Sequence, residues 1–159
     1  MSKSSRVFAY NGFTLIELSL VVAILGLLAA IVIPLYPRLT GDAARTAFVR
    51  DLRTYISAAE LFQIKEGQYP ENSEPGQVPV GWEKYIVLHE WTGNTPIGGQ
   101  WYIARDSYGV QMAIGVYFLG DARSDDYMQK IDAALDDGDL STGSFRKVDG
   151  NRYFYIISD

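Results

Sequence analysis

The densest group of side chains able to do chemistry is the acidic run Asp136-Asp137-Gly138-Asp139, followed by Ser141 and Thr142. Oxygen donors at close spacing suit a hard cation such as calcium, with Asp136, Asp137 and Asp139 as its ligands. The spacing is not that of an EF-hand loop, and no glutamate stands at the closing position. A solvated helix end and turn is the other reading. His89, beside Glu90 and Trp91, is the single histidine, and there is no cysteine. Disulfides, thiolate metal sites, cysteine nucleophiles and multi-histidine metal sites are therefore excluded. No G-x-S-x-G elbow, P-loop or dinucleotide-binding glycine pattern is present. The sequence reads as that of a protein that is not an enzyme. Its net charge of -5 lacks the basic face that nucleic acid requires.

The other chemically informative residue is Glu17. From Leu18 to Ile33 only Ser19 is polar. Extended back to Phe13, the run is about 31 Å long as a helix, matching a hydrocarbon core of about 30 Å. It exceeds the apolar region of a secretory signal peptide, and IPLYPRLTGDA beyond it has no A-x-A cleavage pattern. A carboxylate within a membrane costs about 3 kcal/mol even on lenient scales. No basic residue lies between Phe13 and Pro37. Two environments would satisfy Glu17. One is a free amine at the helix start, if the chain is cut after Gly12, from the same chain or a neighbouring copy. The other is the interface, with the side chain reaching to water.

Gly12-Phe13-Thr14-Leu15-Ile16-Glu17 follows a short leader carrying Lys3 and Arg6 and precedes the apolar run. This resembles the class III signal of type IV pilins and type II secretion pseudopilins, strongly over the first 34 residues. The resemblance implies cleavage by a prepilin peptidase between Gly12 and Phe13, N-methylation of Phe13, and pairing of Glu17 with the N-terminal amine of an adjacent subunit during assembly. Gly26 and Pro34 fall where that family carries helix-loosening residues. Implied partners are copies of the chain itself in a helical homo- or hetero-polymer, the peptidase, an assembly platform, a motor ATPase and the bacterial inner membrane. The globular part is placed in the periplasm, with the chain then passing into a periplasmic or cell-surface filament. Arg38, Arg45, Arg50 and Arg53 follow the span, and a plain count of flanking basic residues points the other way. Major pseudopilins also carry calcium in a C-terminal loop. The alternative function is a membrane-anchored extracytoplasmic domain that binds carbohydrate or protein and does not polymerise.

These readings need elements to carry them. Past Pro34 and Pro37, which invite a kink, Ala44, Phe48, Leu52, Ile56, Ala59 and Phe62 recur every three or four residues, as on one helix face. The helix should stop near Gly67, before Tyr69-Pro70. The stretch around Glu83–Glu90 reads as a short helix or strand. Trp101–Arg105 and Val110–Phe118 read as a hairpin about Asp106-Ser107-Tyr108-Gly109, and Arg152–Ser158 as a last strand. Between them, Asp125–Leu135 reads as a helix capped by Ser124, with Met128, Ile131 and Leu135 inward and Gly138 as its stop. The expected fold is α+β and pilin-like. A long N-terminal helix, membrane-spanning in its first half and amphipathic in its second, packs on a small antiparallel sheet. The expected organisation is a leader over 1–12, a transmembrane and assembly helix over 13–36, and a globular domain over 37–159.

Overall fold

A computed structural model describes residues 13–159, with side chains left aside for 34–39. The chain divides into two compact units, 1–40 and 41–159. Helix α1, Leu15–Glu66, contributes to both, and its backbone stays helical across 34–39. In the first unit every side chain from Phe13 to Ile33 is exposed. Leu15–Ile33 is long and apolar enough to cross a membrane.

The second unit is built on a four-stranded sheet. Its strands are β1 (Gln100–Ser107), β2 (Val110–Tyr117), β3 (Phe145–Asp149) and β4 (Arg152–Ser158). The order is β1-β2-β4-β3, with every neighbouring pair antiparallel. Helix α2 (Leu88–Thr92) precedes the sheet, and α3 (Asp125–Leu135) crosses from β2 to β3. Alternation along β1 and β2 puts Trp101, Ile103, Met112, Ile114 and Val116 into the main core, as the period of two requires. Phe48, Leu52, Ala59 and Phe62 of α1 are buried in that core, with Ala44 and Ile56 half-buried at its margin. Tyr55 and Ala58 widen the buried face beyond the stripe read from spacing.

Aromatic rings dominate this core. Trp82, Trp91 and Trp101 are all buried. Phe48 stacks on Trp101 at 5.1 Å, and Tyr55 sits edge-on to Trp91 and Trp101 at 4.9 and 4.8 Å. A ring of this size buries about 200 Å², roughly 5 kcal/mol of gross apolar stabilisation. Glycine is required at position 115, because a Cβ there would collide with the Tyr153 carbonyl and the Phe154 backbone and ring. The outer edge of β1 is closed by preceding loops. Gly76 N–H donates to the Trp101 carbonyl at 2.9 Å, and Asn72 exchanges two bonds with the Arg105 backbone at 2.9 and 2.6 Å. Such cover removes the pairing hazard of a free edge.

Three local features refine or correct the sequence reading. Strand β3 is additional, because Phe145 is its only buried residue and its apolar alternation is too short to register. Residues 82–92 form a 3₁₀ turn, Trp82–Lys84, and then α2, two short helical pieces. Ser124 stands at the N-cap of α3, but its side chain makes no capping bond. Its carbonyl accepts from Tyr127 and Met128 N–H instead, at 2.9 and 3.1 Å.

Candidate functional site

Two places bring polar groups into unusual surroundings, one in each unit. At the start of α1, Thr14 N–H donates to Glu17 Oε2 at 2.9 Å and the Thr14 hydroxyl donates to the same oxygen at 2.7 Å. Glu17 N–H returns a bond to Thr14 Oγ1 at 3.3 Å. This reciprocal arrangement is a capping box, which satisfies backbone donors that a helix start leaves without partners. Reading Glu17 only for an ionic partner misses it, although the T-x-x-E spacing of Thr14-Leu15-Ile16-Glu17 signals it. Phe13 is 85% exposed. Gly12 lies outside the described residues, as does the side chain of Pro34. Nothing lies within 4 Å of the place a Cβ on Gly26 would occupy.

The second place is the end of α3. Asp132, Asp136 and Asp137 each offer a carboxylate oxygen, and these oxygens lie within 4.8 Å of one another. Two oxygens bound to one calcium at 2.3–2.6 Å are at most about 5 Å apart, so the spacing fits. Asp136 and Asp137 are exposed, whereas Asp132 is fully buried, with neither oxygen in close hydrogen-bond geometry among the described residues and only a weak interaction with the Gly138 N–H. Burial first, then the charges of Asp137, Asp136 and Asp139, push its carboxyl up to about 6. Asp136 is held against the chain just before β3. Ser144 N–H donates to its Oδ2, and a Cβ on Gly143 would collide with that carboxylate. The Thr142 hydroxyl donates to Asp137 Oδ2 at 2.9 Å.

Asp139 is not one of the three grouped residues. Its Oδ1 accepts from Ser141 N–H at 3.0 Å and from the Ser141 hydroxyl at 2.6 Å, and these bonds hold its carboxyl below the usual range. Asp132 escapes a search for runs of acids because it stands alone on α3. Its signal is helical spacing: it follows Met128 by four and Ile131 by one, placing an acid on the apolar face, and it precedes Asp136 by four. His89 is exposed on α2.

An exposed apolar helix with a polar start, continuing into an α+β unit, gives the chain a pilin-like fold. Residues 8–33 match the family described as the prokaryotic N-terminal methylation motif. The chain is 50% identical over 82 residues to a fimbrial protein of Pseudomonas aeruginosa, covering 50% of this chain and 53% of that one. It is 39% identical over 63 residues to type IV major pilin protein PilE1 of Neisseria gonorrhoeae, covering 40% and 38% respectively. It is 34% identical over 64 residues to type II secretion system core protein G of Pseudomonas aeruginosa, covering 40% and 45%. The chain thus spans about half or less of the curated relatives it matches. No solved structure matches it.

Proposed function

We propose that this chain is a structural subunit of a type IV pilus-like or type II secretion pseudopilus filament. A prepilin peptidase removes residues 1–12 by cutting between Gly12 and Phe13, and Phe13 is then N-methylated. Residues 13–36 form the membrane and assembly helix, and 37–159 the globular domain, which faces the periplasm. The subunit waits in the inner membrane and is drawn into a helical polymer by an assembly platform and motor ATPase. Glu17 pairs there with the Phe13 amine of a neighbour, and Gly26 and Pro34 loosen the helix to fit.

The observation that carries this reading is the apolar surface from Phe13 to Ile33, exposed at every position and headed by a single acid. Lipid covers such a surface before assembly. Copies of the same helix cover it afterwards, where close packing and polar pairing supply what the hydrophobic effect cannot. The test is the intact mass and N-terminal residue of the protein recovered from its native membrane. A chain beginning at Phe13 with one added methyl group is the expected result. A chain retaining Met1, or cut beyond the apolar run, removes the amine and favours the anchored binding domain.

Buried Asp132 favours a second assignment, a calcium ion held at the end of α3. The donors are hard oxygens at the right separation, and the buried carboxylate lacks the counter-charge a cation would bring. Asp132, Asp136 and Asp137 would hold the ion, with Asp139 bracing the turn through Ser141. Bound there, calcium would tie the end of α3 to the chain entering β3. Terbium luminescence of the full chain in detergent, displaced by calcium and lost in Asp132→Ala, is the expected result. An unchanged terbium signal in that variant removes Asp132 from the site.

A further inference from the structure

Within the second unit, α1 and α3 enclose a groove of about 450 Å³, a size typical of small-ligand sites. Arg45, Val49 and Arg53 line it from α1, where spacings of four put them on one face. Lys130 and Ala134 line it from α3, again four apart. The two arginines stand about 12 Å apart along the axis of α1, with Val49 midway between them. The charges of this lining do not cancel. Its one acid among the described residues is Asp42, which pairs with Arg45. Arg53 and Lys130 pair with no acid among the described residues. Three cations against one acid leave the groove at +2, in a chain whose net charge is -5. Cations lining one cavity repel each other, at a cost that a bound anion removes.

Two of the cations are held in place. Arg53 donates one N–H to the Ala134 carbonyl at 2.9 Å. A guanidinium has five such donors, so four remain. Arg45 lies over the Tyr127 ring at 4.9 Å, about one turn before Lys130 on α3. We infer that this groove binds a phosphate monoester. Arg53 and Lys130 take the phosphate oxygens, Arg45 flanks them, and Val49 and Ala134 meet the carbon atoms of the ester. Such an ester carries about -1.5 to -2 near pH 7, which matches the charge of the groove. A carboxylate or a phosphodiester, with a single charge, leaves one cation uncompensated. Arginine offers phosphate parallel N–H bonds, and lysine adds a point charge. The ester is either a soluble molecule or the headgroup of a monoester lipid. Its binding does not depend on whether the chain polymerises.

The test titrates glycerol 3-phosphate into the full chain in detergent and follows the heat, with glycerol as the blank. Wild type should bind. Lys130→Gln and Arg53→Gln should each weaken binding roughly ten-fold, the factor that one hydrogen bond to a charged group contributes. Lys130→Gln removes no bond of the fold, so its effect reads the site alone. Arg50→Gln, on the same helix but paired with Asp51 outside the groove, should bind as wild type does. Short-chain phosphatidic acid, against short-chain phosphatidylcholine, separates the two sources. Phosphatidic acid bound at least roughly ten-fold tighter than glycerol 3-phosphate (about 1.4 kcal/mol), and weakened by Lys130→Gln, identifies a lipid headgroup. Equal or weaker binding identifies a soluble ester. Failure of both phosphates to bind would overturn the inference. So would a Lys130→Gln variant of wild-type affinity, or a loss in Arg50→Gln equal to that in Lys130→Gln.

Discussion

Replacing Asp132 by Asn should change the stability of the globular unit in opposite directions with and without calcium. In chelator, the wild-type side chain is a fully buried carboxylate with no close hydrogen bond among the described residues. At the 4.8 Å limit of the cluster, each like-charged neighbour costs about 1 kcal/mol at the dielectric constant of water and about 3.5 kcal/mol at an effective value of 20. Asp136 and Asp137 are exposed, so the lower figure applies, and neutralising Asp132 should stabilise by about 1–2 kcal/mol. For a unit of this size that raises Tm by about 5 °C. With calcium at a hundred times its Kd, the wild type gains about 2.7 kcal/mol. The Asn variant, which supplies a neutral oxygen, gains less, so the order of the two reverses. Thermal unfolding of the full chain in detergent, followed by circular dichroism in EGTA and in calcium, reads both. An Asn variant less stable than wild type in EGTA, or one with an undiminished calcium shift, would refute the reasoning.

Phe48→Ala should cost about 3–5 kcal/mol, because Phe48 is fully buried and stacks on Trp101. Its near-ultraviolet dichroism should weaken together with its denaturation midpoint. Asp125 accepts from Lys147 at 2.7 Å and from the Tyr153 hydroxyl at 2.9 Å, and these bonds hold its carboxyl below 3.8. A lowered carboxyl contributes stability above its unfolded value and loses it as pH falls through the folded one. Asp125→Asn should therefore flatten the stability profile below about pH 4, as measured by urea midpoints across pH. An unchanged acid limb would show the bonds to be energetically silent. Gly115→Ala should destabilise by about 3 kcal/mol, since its Cβ has nowhere to go between β2 and β4. A soluble variant with unchanged Tm would show that the strands can part at no cost.

The regular elements were legible because periodicity and punctuation agree in them. Val110 to Phe118 alternates strictly, Gly109 ends the turn before it, and Asp125–Leu135 is bounded by Ser124 and the acidic run. Strand β3 was not legible, because its partner is β4 and its own side chains are mostly polar. The edge cover by Asn72 and Gly76 depends on contacts about 25–33 residues apart, which local spacing does not encode. Asp132 is the sharpest case. Reading α3 as amphipathic sorts residues by face, and an acid on the inner face becomes evident only when burial is counted atom by atom. Thr14 is the reverse case. Its capping role with Glu17 is written in four consecutive residues, but a motif read for processing leaves the hydrogen bonds unasked.

The proposed orientation must also accommodate the arginines that follow the span. Arg45 pairs with Asp42 and lies over the Tyr127 ring at 4.9 Å. Arg50 pairs with Asp51 at 2.8 Å, and Arg53 donates to the Ala134 carbonyl at 2.9 Å. These side chains belong to the folded unit, where two of the three charges are matched by acids on the same helix and the third caps α3. The bias of basic residues that orients a span is counted over short loops, and long domains translocate largely regardless of charge. The segment beyond Ile33 runs to Asp159 and folds as a domain from Gly41 onward. A count that includes Arg45, Arg50 and Arg53 therefore measures the surface chemistry of that domain rather than the retention of a loop. What is left to set direction is Arg38 on one side of the span and Lys3 and Arg6 on the other, the side where the proposed peptidase acts.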